Sequence, residues 1–280
     1  MKLPYFDLHC DTLYEIYKNP GRKKQLEPGK LTYQPYRQIF AIWTEHGLAP
    51  DAAFEQFLAI HKQAALPPGG ILAVEGGLLL GQQAERLAVL ADCQVKVLTL
   101  MWKDLCPLGG AWNTEQGLTE FGRQIVSLCG DLGILPDVSH ASDNAFYDVA
   151  ALTPRFIATH SNARALCPHR RNMTDEMFGI IKNNGGLVGI SMCPDHLAEH
   201  GKAGLADILK HIEHYMALGG EDTVCFGCDF DGIETTPDGI SGPQDLDKVA
   251  QALLGLGYTD LQVRKLFYEN ANRYFTDFLG

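Results

Sequence analysis

What most restricts the fold of this chain is an alternation repeated along its 280 residues: short, nearly unbroken apolar runs, each followed by a stretch with helical spacing. A strand buried on both faces loses the apolar–polar alternation of a half-exposed strand, which marks a parallel sheet wrapped by helices. The runs are Leu3–Leu8, Gln38–Trp43, Ile71–Val74, Val95–Met101, Ile134–Ser139, Arg155–Thr159, Leu187–Met192 and Thr223–Cys228. Helices are expected over Pro50–Leu66, Gln82–Ala91, Glu115–Leu132, Asn144–Leu152, Thr174–Lys182, Leu205–Leu218, Pro243–Leu254 and Thr259–Phe278, with Pro67-Pro68 and Asn184-Gly185-Gly186 as stops. This pattern predicts an α/β fold, a (β/α)8 TIM-type barrel with its active site at the C-terminal ends of the strands. No linker or shift of composition divides the chain, so one domain over 1–280 is expected. The eighth strand of the count depends on the weak second run; a seven-stranded or open sheet is the alternative. Two long segments, Asn19–Leu31 and Trp102–Asn113, read as loops of lid length.

Reading off the strand ends gives His9 and Asp11, then Glu75, His140, His160 and Asp229. A single histidine at a strand end is more often a hydrogen-bonded core residue than a ligand. Imidazoles and carboxylates at five strand ends are another matter, because buried charges are costly unless paired or coordinated. The donors suit Zn2+ or a similar divalent ion, and there are too many for one. They fit two divalent ions about 3.5–4 Å apart. His9 and Asp11 are expected on one ion, His140 and His160 on the other, with Glu75 between them. Such a pair lowers the pKa of water toward ~7 and supplies a bridging hydroxide at neutral pH. Asp229, across the barrel mouth, is then expected to take the proton and pass it to a leaving group. Strict strand alternation puts Asp7 on the same face as His9 and Asp11, which makes it either a carboxylate that orients a ligand histidine or a structural one.

Charge narrows the partners. A net charge of −11 leaves nothing to neutralise phosphates, so neither nucleic acid nor an anionic membrane surface is expected. No stretch approaches ~18 apolar residues, and neither a secretory leader nor a lipid-anchor tail is legible, so a cytoplasmic protein is expected. The eight cysteines are scattered, several in apolar runs, as reduced thiols are. Cys225 and Cys228 lie three apart on a strand and so face opposite sides, which argues against a shared metal or disulfide.

Several short motifs together carry a resemblance: Phe-Asp-Leu-His-Cys-Asp at 6–11, Val-Glu-Gly-Gly at 74–77, Leu-Thr-Leu at 98–100, Asp-Val-Ser-His at 137–140, Thr-His-Ser at 159–161, Arg-Arg-Asn at 170–172 and Gly-Cys-Asp-Phe-Asp-Gly at 227–232. In this order they resemble the membrane (renal) dipeptidase family of amidohydrolase-like metal-dependent hydrolases. The resemblance implies a binuclear zinc barrel that hydrolyses small dipeptides, often with a D-residue at the C-terminal position, and in many members a homodimer. It assigns the metal ligands to His9, Asp11, Glu75, His140 and His160. Arg171 would bind the dipeptide carboxylate, the alternative being a surface arginine beside His169 and Arg170, and Asp229 would lie near the substrate amine and scissile nitrogen. Asp231 would shape the turn that follows. The chain departs from the family after Leu-Thr-Leu, where a substrate-binding histidine is replaced by Trp102, followed by Lys103 and Asp104. A metal ion is then expected to carry most of the polarisation of the scissile carbonyl, with Trp102 walling the cleft. The same residues leave open a binuclear hydrolase of another amide, a lactone or a phosphoester, and a non-catalytic metal-binding barrel.

Overall fold

The structure, a computed structural model, describes residues 3–21, 24 and 33–280. Seven parallel strands form its curled sheet: β1 (Tyr5–Asp7), β2 (Tyr36–Trp43), β3 (Gly70–Glu75), β4 (Val95–Thr99), β7 (Leu135–Asp137), β8 (Val188–Ile190) and β9 (Val224–Phe226). A two-stranded hairpin, β5 (Leu105–Cys106) and β6 (Gly109–Gly110), stands apart from it. Round the curl the order is β7-β4-β3-β2-β1-β9-β8. The two edge strands are not left bare. Ile157 bridges to Asp137 of β7, and Ala158 bridges to Val188 of β8. The Ile157 and Ala158 backbones hydrogen-bond to both sides, Val138 N–H to Ile157 at 2.9 Å and Ala158 N–H to Leu187 at 2.9 Å. Unpaired edge groups are thereby satisfied where the curl would otherwise end, an arrangement consistent with a TIM-type barrel.

The second run, expected to be weakest, is instead the longest strand, eight residues paired to β1 and β3. The weak stave is the sixth, Arg155–Thr159, reduced to two bridges. Gln38, the polar residue of β2, is buried, and its side-chain amide donates to the Ile39 carbonyl at 3.0 Å.

Alternate residues of each stave sort into two apolar layers. Phe6, Leu8, Ile39, Ala41, Ile71, Ala73, Val97, Leu135, Ile157, Leu187 and Cys225 form an inner cluster, closed by Ala271 and Phe275 of the last helix, Asn270–Leu279. The opposite faces (Phe40, Ile42, Leu72, Val74, Leu98, Val188, Phe226) pack under the surrounding helices. The last helix therefore plugs the end of the curl away from the strand C-termini, with Phe275 against Phe6 at 5.4 Å between ring centroids. Helix starts follow local chemistry: Thr119, Ser142, Thr174 and Thr259 each accept a backbone N–H three residues on. The expected helix at Glu115 begins only at Glu120, where Thr119 provides that cap.

The Trp102–Asn113 segment is not an open lid. It folds into the β5–β6 hairpin and is pinned by the Ala111 N–H to Asp104 (2.9 Å) and the Trp112 N–H to His140 (2.8 Å). Most of the Asn19–Leu31 loop lies outside the described residues. Cys225 and Cys228 face opposite sides as expected: Cys225 sits in the inner cluster, Cys228 lies 3.4 Å from the Tyr5 hydroxyl, and both are free thiols.

Candidate metal centre and active site

The strand ends deliver six site residues to one place. Glu75 is the last residue of β3, and Gly76 follows in a left-handed turn (φ 93°) that glycine adopts without strain. Its carboxylate is buried, and one oxygen, Oε1, lies 3.0 Å from His140 Nε2, 3.4 Å from His160 Nε2 and 3.6 Å from His9 Nε2. The two Nε2 atoms of His140 and His160 are 3.0 Å apart. On the other flank His9 Nε2 faces Asp11 Oδ2 at 3.3 Å and Asp229 Oδ1 at 3.8 Å. Two overlapping groups could each hold a cation: His9 with Glu75 and His160, and His9 with Asp11 and Asp229.

Which nitrogens carry hydrogens follows from their neighbours. His140 Nδ1 lies 2.9 Å from the Trp102 carbonyl oxygen, which only accepts, so Nδ1 donates and Nε2 presents its lone pair. His160 Nδ1 lies 2.7 Å from the Thr159 hydroxyl, and that hydroxyl spends its own hydrogen on Asp137 Oδ2 at 2.6 Å. Nδ1 of His160 therefore donates as well. Two imidazole lone pairs then converge on a carboxyl oxygen with no imidazole hydrogen left to share. His9 Nε2 and Asp11 Oδ1 are likewise buried and, among the described residues, without a hydrogen-bond partner. Ligand atoms held at ~2.0–2.2 Å around one tetrahedral ion lie about 3.3–3.6 Å apart, and the spacings here, 3.0–3.8 Å, bracket that range. The residues fit divalent cations.

The electrostatics agree. Burial holds Glu75 well above the usual carboxylate range, and Asp11 adds to that. Burial likewise pushes Asp229 up to about 7. Burial disfavours charge on His9 too, yet the Glu75 and Asp11 carboxylates outweigh it and raise the imidazole to about 10. His140 and His160 go the other way: burial, then Arg171 for one and His9 for the other, keep them neutral. The cluster is short of positive charge, and neutral imidazoles are the form that binds a metal.

Several expectations about individual residues change. β1 ends at Asp7 with a bend at Leu8, so strict alternation fails and Asp7 does not share the face of His9. Asp7 touches no ligand imidazole. Its Oδ1 accepts the backbone N–H of His9 (3.1 Å) and of Cys228 (2.9 Å), tying the ends of β1 and β9 together. Asp137 does the same on the far side, accepting from the N–H groups of Ser139 and Thr159, each at 2.9 Å. Asp229 is not across the mouth from His9. β9 is the neighbour of β1, and the Asp229 N–H bonds the His9 carbonyl at 3.1 Å. Asp231 accepts the Thr12 hydroxyl at 2.7 Å, linking the turn to the start of the helix after β1. His140 and Asp229 both hold positive φ (70° and 65°), a strained conformation for non-glycine residues that clusters at functional sites.

Arg171 is buried, not part of a surface patch; its guanidinium donates to the His160 carbonyl (2.9 Å) and the Ser161 hydroxyl (3.0 Å), and its buried Nε has no hydrogen-bond partner among the described residues. Arg170 is the surface residue, paired with Glu115 at 2.6 Å. A cavity of about 390 Å³ opens over the cluster, lined among others by Asp11, Glu75, Trp102, His140, His196 and Asp229. Trp102 thus stands on its wall as expected. His196 and Trp43 were missed: Trp43 ends a strand and could have been found by the same rule, whereas nothing near His196 announced it.

The comparisons with known proteins decide the family. The model of the membrane dipeptidases, peptidase family M19, matches residues 53–278. The chain belongs to the membrane dipeptidase family. A Klebsiella pneumoniae protein described as an uncharacterized protein in the pqqA 5' region is 37% identical over 166 residues, covering 58% of this chain and 61% of that one. Among solved structures, the M19 metallo peptidase dipeptidase AC superposes with a TM-score of 0.88 at 27% identity, over 96% of this chain and 97% of that one. A Rhodobacter sphaeroides metallo peptidase, solved with a phosphinate mimic of the dipeptide L-Ala-D-Ala, gives 0.88 at 26%, with the same coverage. The likeness to the probable dipeptidase PvdM of Pseudomonas aeruginosa (TM-score 0.86, 19% identity, 99% of this chain and 95% of that one) speaks for the fold alone. Among the described residues no helix is long and apolar enough to cross a membrane.

Proposed function

We propose that this protein is a metallo-dipeptidase that hydrolyses the peptide bond of small dipeptides, within one domain whose eight staves form a TIM-type barrel. The observation that carries the reading is the meeting of His140 Nε2, His160 Nε2 and Glu75 Oε1 within 3.0–3.4 Å, with the imidazole hydrogens spent on Trp102 and Thr159. His9, Asp11, Glu75, His140 and His160 would hold two divalent ions, zinc foremost given the histidine-rich donor set. Bound there, the ions supply Lewis acidity, polarising the scissile carbonyl and acidifying water.

The chain's own residues do the rest. Asp229, half-buried beside His9 and Asp11 on the cavity wall, is placed to hold a proton and deliver it to the departing amine. Arg171 is preorganised by its bonds to His160 and Ser161 and would take the carboxylate end, although it is buried and is not among the residues lining the cavity. Trp102 closes one side of the cleft and excludes water. The substrate is taken as a dipeptide because family members include the peptidase solved with a dipeptide mimic. The test is a screen of L,L- and L,D-dipeptides against zinc-loaded protein, with C-terminally amidated versions beside them. Hydrolysis of free dipeptides with a loss of at least about tenfold in kcat/KM on amidation supports the reading. Equal turnover of both, or of neither, overturns it.

A further inference from the structure

A second cavity, of about 310 Å³, lies behind Trp102 and shares Trp43, Glu75 and Trp102 with the first. Its volume falls at the small end of the ~300–1,000 Å³ of ligand pockets, the size for one side chain rather than a second substrate. The apolar part of its lining is Trp43 and Trp102 (ring centroids 5.0 Å apart), Leu48, Leu78, Leu105 and Cys106, and Thr44, His46, Glu75, Lys103 and Asp104 supply a polar part. Nor does it depend on a loop closing. Asp104 meets His46 of the turn after β2 at 3.1 Å in an exposed pair, and within the hairpin segment its N–H bonds the Asn113 side-chain oxygen at 2.9 Å. The pocket is therefore preformed, and it opens onto Glu75, the residue at the reacting centre.

Its place round the curl says which part of a substrate it meets. The pocket lies over the ends of β2, β3 and β4, whereas Arg171 is anchored on His160 and Ser161, beyond β8 on the opposite arc. A dipeptide with its carboxylate at Arg171 and its carbonyl at Glu75 turns its amino-terminal residue toward Trp102. We infer that the pocket behind Trp102 receives the side chain of the amino-terminal residue, and that the enzyme prefers dipeptides beginning with a large apolar or aromatic residue. The inference rests on the dipeptidase reading, and Trp102, Leu48, Leu78 and Leu105 become its specificity-determining residues.

The experiment compares kcat/KM of the zinc-loaded protein for Ala-Ala, Leu-Ala and Phe-Ala with that for Ala-Leu and Ala-Phe. An apolar pocket discriminates by about tenfold or more for side chains differing by several methylenes. The expected result is a Phe-Ala to Ala-Ala ratio of about ten or above, and a smaller effect of the same change at the second position. Leu78→Trp, which fills the pocket, brings the first ratio back to about one; Leu48→Trp is the second variant should Leu78→Trp fail to fold. A flat series, or a preference that follows the second residue while dipeptides are still cleaved, overturns the inference and leaves the dipeptidase reading standing. Binding gives an independent readout. Calorimetry with two phosphinate dipeptide mimics, benzyl or methyl on the amino-terminal side, should show the benzyl compound bound about tenfold tighter, with a change in emission from Trp43 and Trp102. Equal affinities overturn the pocket assignment whatever the turnover; tighter benzyl binding without cleavage of any dipeptide overturns the dipeptidase reading only.

Discussion

At the scale of residues, the site is held by groups that never touch a substrate. Thr159 receives the Nδ1–H of His160 and passes its own hydrogen to Asp137, which also takes the Thr99 hydroxyl. Loss of such an outer partner costs about 10–100-fold in metal affinity. Thr159→Val should therefore weaken zinc binding by about that factor, read by competition with a chromophoric chelator, while Thr159→Ser keeps it. Glu75→Gln removes the charge shared by both flanks and should lose more than Thr159→Val does, in metal content and in turnover together. Gly232 is a different kind of requirement. A Cβ there would collide with the Asp11 and Asp229 carboxylates, so the glycine leaves room for them. Gly232→Ala should cut kcat/KM by about a hundredfold, the scale of a ~1 Å misplacement. Its thermal midpoint should move little, since Gly232 is exposed. A large fall in stability with kcat intact would contradict that assignment.

At the scale of elements, strand ends outperform strand interiors as carriers of information. The apolar runs located every stave of the curl, yet their relative strength was misjudged. The run expected to be weak, Gln38–Trp43, is the core of the longest strand, and its buried Gln38 amide is satisfied by the Ile39 carbonyl, a bond that a sequence does not show. Arg155–Thr159 looked a full strand, but only Ile157 and Ala158 bridge their neighbours. The cap at Thr174 was legible, whereas those at Thr119 and Ser142 were missed although each also precedes an acidic residue, the helices having been expected from Glu115 and Asn144. The last helix has a role its periodicity did not disclose. Its Phe275 fills the inner layer against Phe6, so Phe275→Ala should cost about 3–5 kcal/mol, measured by urea unfolding. A loss under about 1 kcal/mol would mean the inner layer closes without it.

At the scale of the whole molecule, the metal centre and the fold are coupled. Glu75, Asp11 and Asp229 converge from the ends of three strands, and their charges oppose closure of the mouth unless a cation lies among them. Ions present at a thousand times their dissociation constant stabilise by about 4 kcal/mol, which for a chain of this size is about 8–16 °C in the midpoint. Chelation should lower the thermal midpoint by about that amount and abolish turnover, and zinc should restore both. An unchanged midpoint on complete removal of metal would separate the centre from the fold.

From the sequence by itself came the parallel strand–helix architecture, the five metal-ligand candidates and Asp229, because strand periodicity and the chemistry of strand ends are local properties. The tertiary structure alone decided what lies beside what. It put Asp229 next to His9 rather than opposite, since β9 closes against β1 through backbone bonds that only the complete curl can form. It also turned Asp7 away from the ligands, gave His140 and His160 their outer partners, and opened the pocket behind Trp102. Each of these depends on distances between residues far apart in the chain, which no local pattern of side chains encodes.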